Sequence, residues 1–178
     1  MRTVVVFLAT AVVVGLLVHA GLLWAAPRWA TDRQIEAGLA RGAVWNRLQH
    51  SPPPRAGTTS VPLANPDSLT SRAYLDLSKG PLVLEGPLPK ACVYWSASLF
   101  AHDTRTVFIA SDRDYPEGHV RIGFRHAGQS PVSDAQDVPS PSRVAVLLIR
   151  CFMRDRTDAA YVEALDPARR ALVLEPAA

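Results

Sequence analysis

The residues of this chain that could do chemistry are few and scattered. His102, Asp103, His119 and His126, with Asp112 or Asp114 as oxygen donors, are the set that could ligate a metal. No two of them stand at a diagnostic ligand spacing. His119 and His126 are seven residues apart, which in a straight strand puts them on opposite faces. The expectation is therefore no metal and no other cofactor. A nucleophile elbow of the Gly-x-Ser-x-Gly kind is absent from the sequence. Cys92 and Cys151 sit in apolar, strand-like runs where a thiol is inert; in an oxidising compartment they could instead form a disulfide if two strands made them neighbours. Tyr94 and Trp95 are adjacent, so in a strand one faces the core and the other faces outward. If the outward ring met Asp103 and Arg105, the four would form a small polar-aromatic cleft, the candidate ligand site. The charged stretch from Asp112 to Gly118 reads as an ordinary solvated loop.

Elements that would position these residues follow from composition and pattern. The 178 residues are 48% hydrophobic and 20% charged, too apolar and too evenly charged for a disordered chain and too short for two ordinary domains. The net charge of +3 is spread along the chain, which argues against nucleic acid as a partner. Much of the apolar content lies in Thr3–Ala26, 24 residues without a formal charge, enough for a helix to cross a bilayer. Trp24 and Trp29 fall where such a helix would leave the lipid, as membrane-interface residues, and Pro27 reads as its end. A cleaved signal peptide, with Val18-His19-Ala20 as its cleavage site, is the competing reading. The stretch is longer than a signal's apolar region, which favours a retained anchor. Only two lysines accompany an Ala-, Arg-, Val- and Pro-rich composition, which suggests a GC-rich bacterium. The expected placement is the inner membrane, with the N-terminus cytoplasmic and the C-terminal domain periplasmic.

Beyond the anchor, Thr31 and Gln34 suit the start of an amphipathic helix that carries Ile35, Leu39, Ala43 and Leu48 on one stripe and ends near His50. Ser51-Pro52-Pro53-Pro54 opens a stiff connector running to about Gly57. Short apolar runs broken by turn residues follow: residues 73–77, 81–85, 91–101, 104–110, 119–125 and 143–153, with a closing run at 171–174. That spacing predicts a mainly β domain, an antiparallel sandwich. A short helix fits only Asp158 to Leu165, stopped by Asp166-Pro167. The domain division is 1–28 anchor, 29–57 amphipathic helix and connector, 58–178 β-sandwich. In the Ser78-Lys79-Gly80 reversal, Asp76 and Ser78 can hydrogen-bond the turn backbone, Gly80 supplies a positive φ, and Pro81 starts the next strand.

Several of these residues carry a resemblance. Asn65-Pro66-Asp67-Ser68-Leu69, then Leu75 to Pro81 (LDLSKGP), then Tyr94-Trp95-Ser96 with Leu99-Phe100 and Asp103-Thr104 resemble the bacterial family called domain of unknown function 1254. Pro139 to Arg143 and the apolar strand ending in Arg150 resemble its C-terminal portion. The resemblance implies a jelly-roll-like sandwich, and it supplies no catalytic residues. Longer relatives carry a companion domain, domain of unknown function 1214, in the same chain. Here the resemblance implies a small membrane-anchored variant whose companion is a separate polypeptide. Three readings of function follow. The first is an accessory or interaction subunit of an envelope or inner-membrane assembly. The second is a periplasmic small-molecule-binding module or enzyme using the cleft at Tyr94 and Trp95. In the third, the transmembrane helix packs into a larger membrane complex through Gly15, Ala20 and Gly21. With no catalytic constellation in the sequence, the first is preferred and an enzyme is not expected.

Overall fold

The computed structural model describes residues 2–53 and 65–177. A single helix, α1 (Arg2–Ala40), leads into a body of nine strands and a second helix. The strands are β1 (Gln49–His50), β2 (Ser68–Asp76), β3 (Leu82–Pro87), β4 (Tyr94–Ala101), β5 (Thr106–Ser111), β6 (His119–His126), β7 (Gln136–Ser140) and β8 (Val144–Phe152). The helix α2 (Ala159–Arg170) and the strand β9 (Val173–Pro176) complete the chain. They form two sheets, in the orders β1-β2-β8-β4-β5 and β7-β6-β3-β9. Every pairing is antiparallel except β6 with β7. The protein is thus a mainly β sandwich preceded by one long helix.

Strand alternation fills the space between the sheets. Ala73, Leu75, Trp95, Ala97, Leu99, Ala145, Leu147 and Ile149 point inward from the larger sheet and meet Leu82, Leu84, Val120, Ile122, Phe124, Val138 and Leu174 from the smaller one. Each of the larger apolar side chains contributes roughly 1.5–3 kcal/mol by leaving water, which identifies this layer as what holds the sandwich together. Every apolar run predicted as a strand overlaps one. Two strands were not expected. β1 is only two residues long, and β7 (QDVPS) carries a proline and three charged or polar residues, so neither shows an apolar period. β7 is an edge strand of its sheet, where Pro139 does least harm.

Both predicted proline stops are corrected. Pro27 lies inside α1, which runs on to Ala40, and Thr31 is therefore an interior residue of the helix, not its cap. The Thr31 hydroxyl donates to the Pro27 carbonyl at 3.1 Å. Thr31, Ile35 and Gly38 are buried against the body, and that packing holds the helix in register past the missing N–H. The end comes at Gly42, with φ +91°. Its N–H donates to Leu39 O at 2.9 Å and that of Ala43 to Gly38 O at 3.1 Å, the paired bonds of a Schellman cap. Trp45 and Leu48 consequently lie beyond the helix, and Leu48 packs on the main core. Pro167 similarly sits within α2, whose N-cap is Asp158; the carboxylate accepts from Tyr161 N at 3.0 Å. The expected connector to Gly57 and the boundary at residue 58 fall partly or wholly outside the described residues.

Candidate functional site

The surface around α1 is built first by Tyr74 of β2. Its ring packs in a cluster with Ile35, Val146, Leu39, Ala43 and Phe100 on the outer face of the larger sheet. Its hydroxyl donates to Gln34 O at 3.2 Å. A Cβ on Gly38 would lie 2.2 Å from that hydroxyl, so only glycine lets the helix approach this closely. Nearer the apolar end of α1, polar contacts take over. Asp32 Oδ1 meets His102 Nε2 at 2.7 Å and Arg28 lies 3.9 Å from Asp103. Asp103 also accepts from Arg105 Nε at 2.8 Å. Burial alone would raise the Asp103 carboxyl, but the Arg105 hydrogen bond and the charges of Arg105 and Arg28 hold it below the usual carboxylate range. The β4–β5 turn is thereby clasped to the helix just where its apolar stretch ends.

The predicted cleft does not assemble. Trp95 is the core member of the pair, 1% exposed, while Tyr94 faces outward and packs at a tilt against Phe152 with ring centroids 5.6 Å apart. Tyr94 opens β4, whereas Asp103 and Arg105 follow its end, so at about 3.3 Å per residue they lie some 20 Å or more apart. Asp103 and Arg105 instead neutralise one another beside α1. A strand fixes position by residue count, and residue count separates this group.

Most of the histidines and acids considered as metal ligands have another role. His102 pairs with Asp32, His119 lies 3.4 Å from Glu85, Asp112 accepts from Trp95 N, and Asp114 accepts from Ser111 N. His119 and His126 sit at opposite ends of β6. Among the described residues no three His, Cys, Asp or Glu side chains converge as a metal site would require. In the charged loop, burial and then the Asp114 charge push Tyr115 up to about 12, so its neutral phenol donates to Gln136.

Cys92 and Cys151 are joined in a disulfide, their Cα atoms 5.3 Å apart. Cys151 is in β8 and Cys92 lies just before β4, its register neighbour, so the bond ties the start of β4 to the end of β8. Leu69, Met153 and Leu165 close over it, the last from α2. α2 is held in turn by Arg169, buried to 3% exposure, which reaches Thr70 O at 3.1 Å, Ser51 O at 2.8 Å and Asp166. Sequence reasoning missed Arg169; a long basic side chain in a helix gives no sign of which carbonyls it will meet.

Two further surfaces matter. Beside the α1 contact, the larger sheet's outer face continues with Tyr94, Phe152 and Leu148, and with Ile109 at 65% exposure. An 18-residue stretch within α1, of mean hydropathy 2.5, is not buried against the body, and the helix is long and apolar enough to cross a membrane.

Comparisons with known proteins agree with this architecture. The VPA0106 protein from Vibrio parahaemolyticus superposes with a TM-score of 0.66 at 16% identity, over 86% of this chain and 36% of that one. An uncharacterised protein from Burkholderia cenocepacia gives 0.48 at 17% identity, over 88% of this chain and 41% of its own. The first likeness shows the fold; the second is too distant to carry weight. This chain therefore spans well under half the length of these solved structures. No curated protein matches. The family model described as "Protein of unknown function (DUF1254)" matches residues 45–175, nearly the whole body, and the chain belongs to that family.

Proposed function

We propose that the protein is a single-pass accessory subunit of a bacterial inner-membrane or envelope assembly, with its N-terminus cytoplasmic and the sandwich displayed in the periplasm. The observation that carries this reading is α1 itself. One unbroken helix begins as an apolar segment free of the body and ends docked on it, so a single helix joins the proposed anchor to the domain. Trp24 and Trp29, both exposed, then lie at the lipid interface, with Arg28 and Arg33 over their rings at 4.4 and 5.6 Å. The disulfide supports export, because such bonds persist in oxidising compartments.

A separate companion β-domain protein is the proposed partner, of the kind called domain of unknown function 1214. One observation supports it: Ile109, 65% exposed, and Tyr94, 37% exposed, lie on the outer face of the larger sheet beside the α1 contact. The test is site-specific photocrosslinking in intact cells. A crosslinker at Ile109 or Leu148 should capture a companion β-domain polypeptide, while one at Arg121, on the outer face of the other sheet, should not. Equal capture at both positions, or none at either, contradicts the reading.

A further inference from the structure

At the end of the sandwich where α1 arrives, a cleft of about 390 Å³ opens between the β2–β3 turn, the β6–β7 turn and the start of β8. Leu77, Ser78, His126, Gly128, Gln129 and Arg143 line it. A chain of contacts runs from α1 to this cleft. Arg28 approaches Asp103, His102 N donates to Ser142 Oγ at 2.9 Å, and Arg143 O accepts from Leu77 N at 2.8 Å. The cleft therefore belongs to the end of the body nearest the apolar segment.

Its polar groups divide cleanly into those already satisfied and those left over. Gln129 is a wall: its amide donates to Leu77 O at 2.6 Å and its oxygen accepts from His126 N at 2.8 Å. The Ser78 hydroxyl donates to Asp76 at 2.5 Å, and that bond, with the Ser78 N–H and the Lys79 charge, keeps the Asp76 carboxyl below its usual range despite some burial. The other nearby acid, Asp137, is held by two bonds from Arg125, at 2.7 and 2.9 Å. Arg143 is exposed, and its guanidinium, unlike those of Arg105, Arg121 and Arg125, has no side-chain or backbone partner among the described residues. His126 Nδ1 accepts from Gly128 N at 3.4 Å, which assigns the ring proton to Nε2 and makes that nitrogen a donor. Among the described residues no carboxylate lines the cleft.

We infer that this cleft binds the phosphate of a phosphate ester, with Arg143 as a two-pronged donor and His126 Nε2–H as a second. A guanidinium fork matches two phosphate oxygens, and a cleft without a carboxylate does not repel them. The ester could be a lipid headgroup or a soluble compound. Only the lipid source depends on the proposed anchoring; the site itself does not.

The test uses the full chain in neutral detergent micelles, titrated with inorganic phosphate while the His126 ring signals are followed by NMR. A saturable shift is expected. R143Q should weaken it about tenfold or more, and R143K, which keeps the charge but loses the fork, by less. A second variant, H126Q, is read through the Arg143 side-chain signal, so the site stays testable should R143Q fold poorly. Repeating the titration in the same detergent micelles doped with phosphatidylglycerol, or with an equal amount of the phosphate-free lipid diacylglycerol, separates the sources. Loss of the response only with phosphatidylglycerol assigns the lipid headgroup; an equal response in both assigns a soluble ester. Either result upholds the site. A response that never saturates, or one of equal strength in wild type and R143Q, overturns it.

Discussion

Trp95 and His50 show how much single residues carry. The indole of Trp95 fills the core and packs edge-on against Tyr115, yet its Nε1 has no hydrogen-bond partner among the described residues. Trp95→Phe should therefore remove a buried, unsatisfied donor along with some packing and cost under about 2 kcal/mol. Trp95→Ala should cost about 3–5 kcal/mol, both read by urea denaturation. His50, bonded to Ser71 Oγ at 2.8 Å, titrates below its usual range, first through burial and then through the charges of Arg169 and Arg170, with Asp166 opposing. The unfolded chain then takes up a proton near pH 6.5 that the folded chain refuses. Stability from this group is complete above that pH and falls as the pH drops toward the lower folded value. A pH series of denaturation midpoints should show this fall, and His50→Gln should flatten it.

At the level of elements, the contact of α1 with β2 is decided by absent atoms. Gly38→Ala raises helix propensity, yet its Cβ would enter the Tyr74 ring. The expected net effect is a loss of about 1–3 kcal/mol and a looser helix, seen as faster hydrogen exchange over residues 28–40. The disulfide links positions 59 residues apart, so Cys92→Ser with Cys151→Ser should cost about 2–4 kcal/mol in thermal unfolding. These elements were unequally legible in the sequence. Strands β2 to β6 and β8 announce themselves through β-branched and aromatic runs, because each has a face to bury. Pro27 and Pro167 misled because proline penalises a helix locally, while the packing that overrides it comes from strands far away in the chain. For the candidate site the same asymmetry holds. The two faces of Tyr94 and Trp95 follow from alternation, but Asp103 and Arg105 could be joined to them only by ignoring the length of β4. The Arg143–His126 cleft had no signal, since its walls come from three separate turns.

For the whole molecule, two exposed apolar regions carry the proposed function. One is the free stretch of α1, proposed to lie in lipid; the other is the sheet face at Ile109 and Leu148, proposed to meet a companion chain. Removing the second should leave folding intact while abolishing association. Ile109→Lys is exposed enough to change stability by less than about 0.5 kcal/mol, yet it should release the companion in co-purification from detergent extracts.

Protease added to the outside of intact spheroplasts probes the anchored, exported arrangement most directly, read as the mass of what survives. The body should be digested, leaving a membrane-held N-terminal fragment close to residues 1–28. A chain that stays whole until the spheroplasts are lysed, or a body recovered free in the periplasmic fraction without α1, would contradict it.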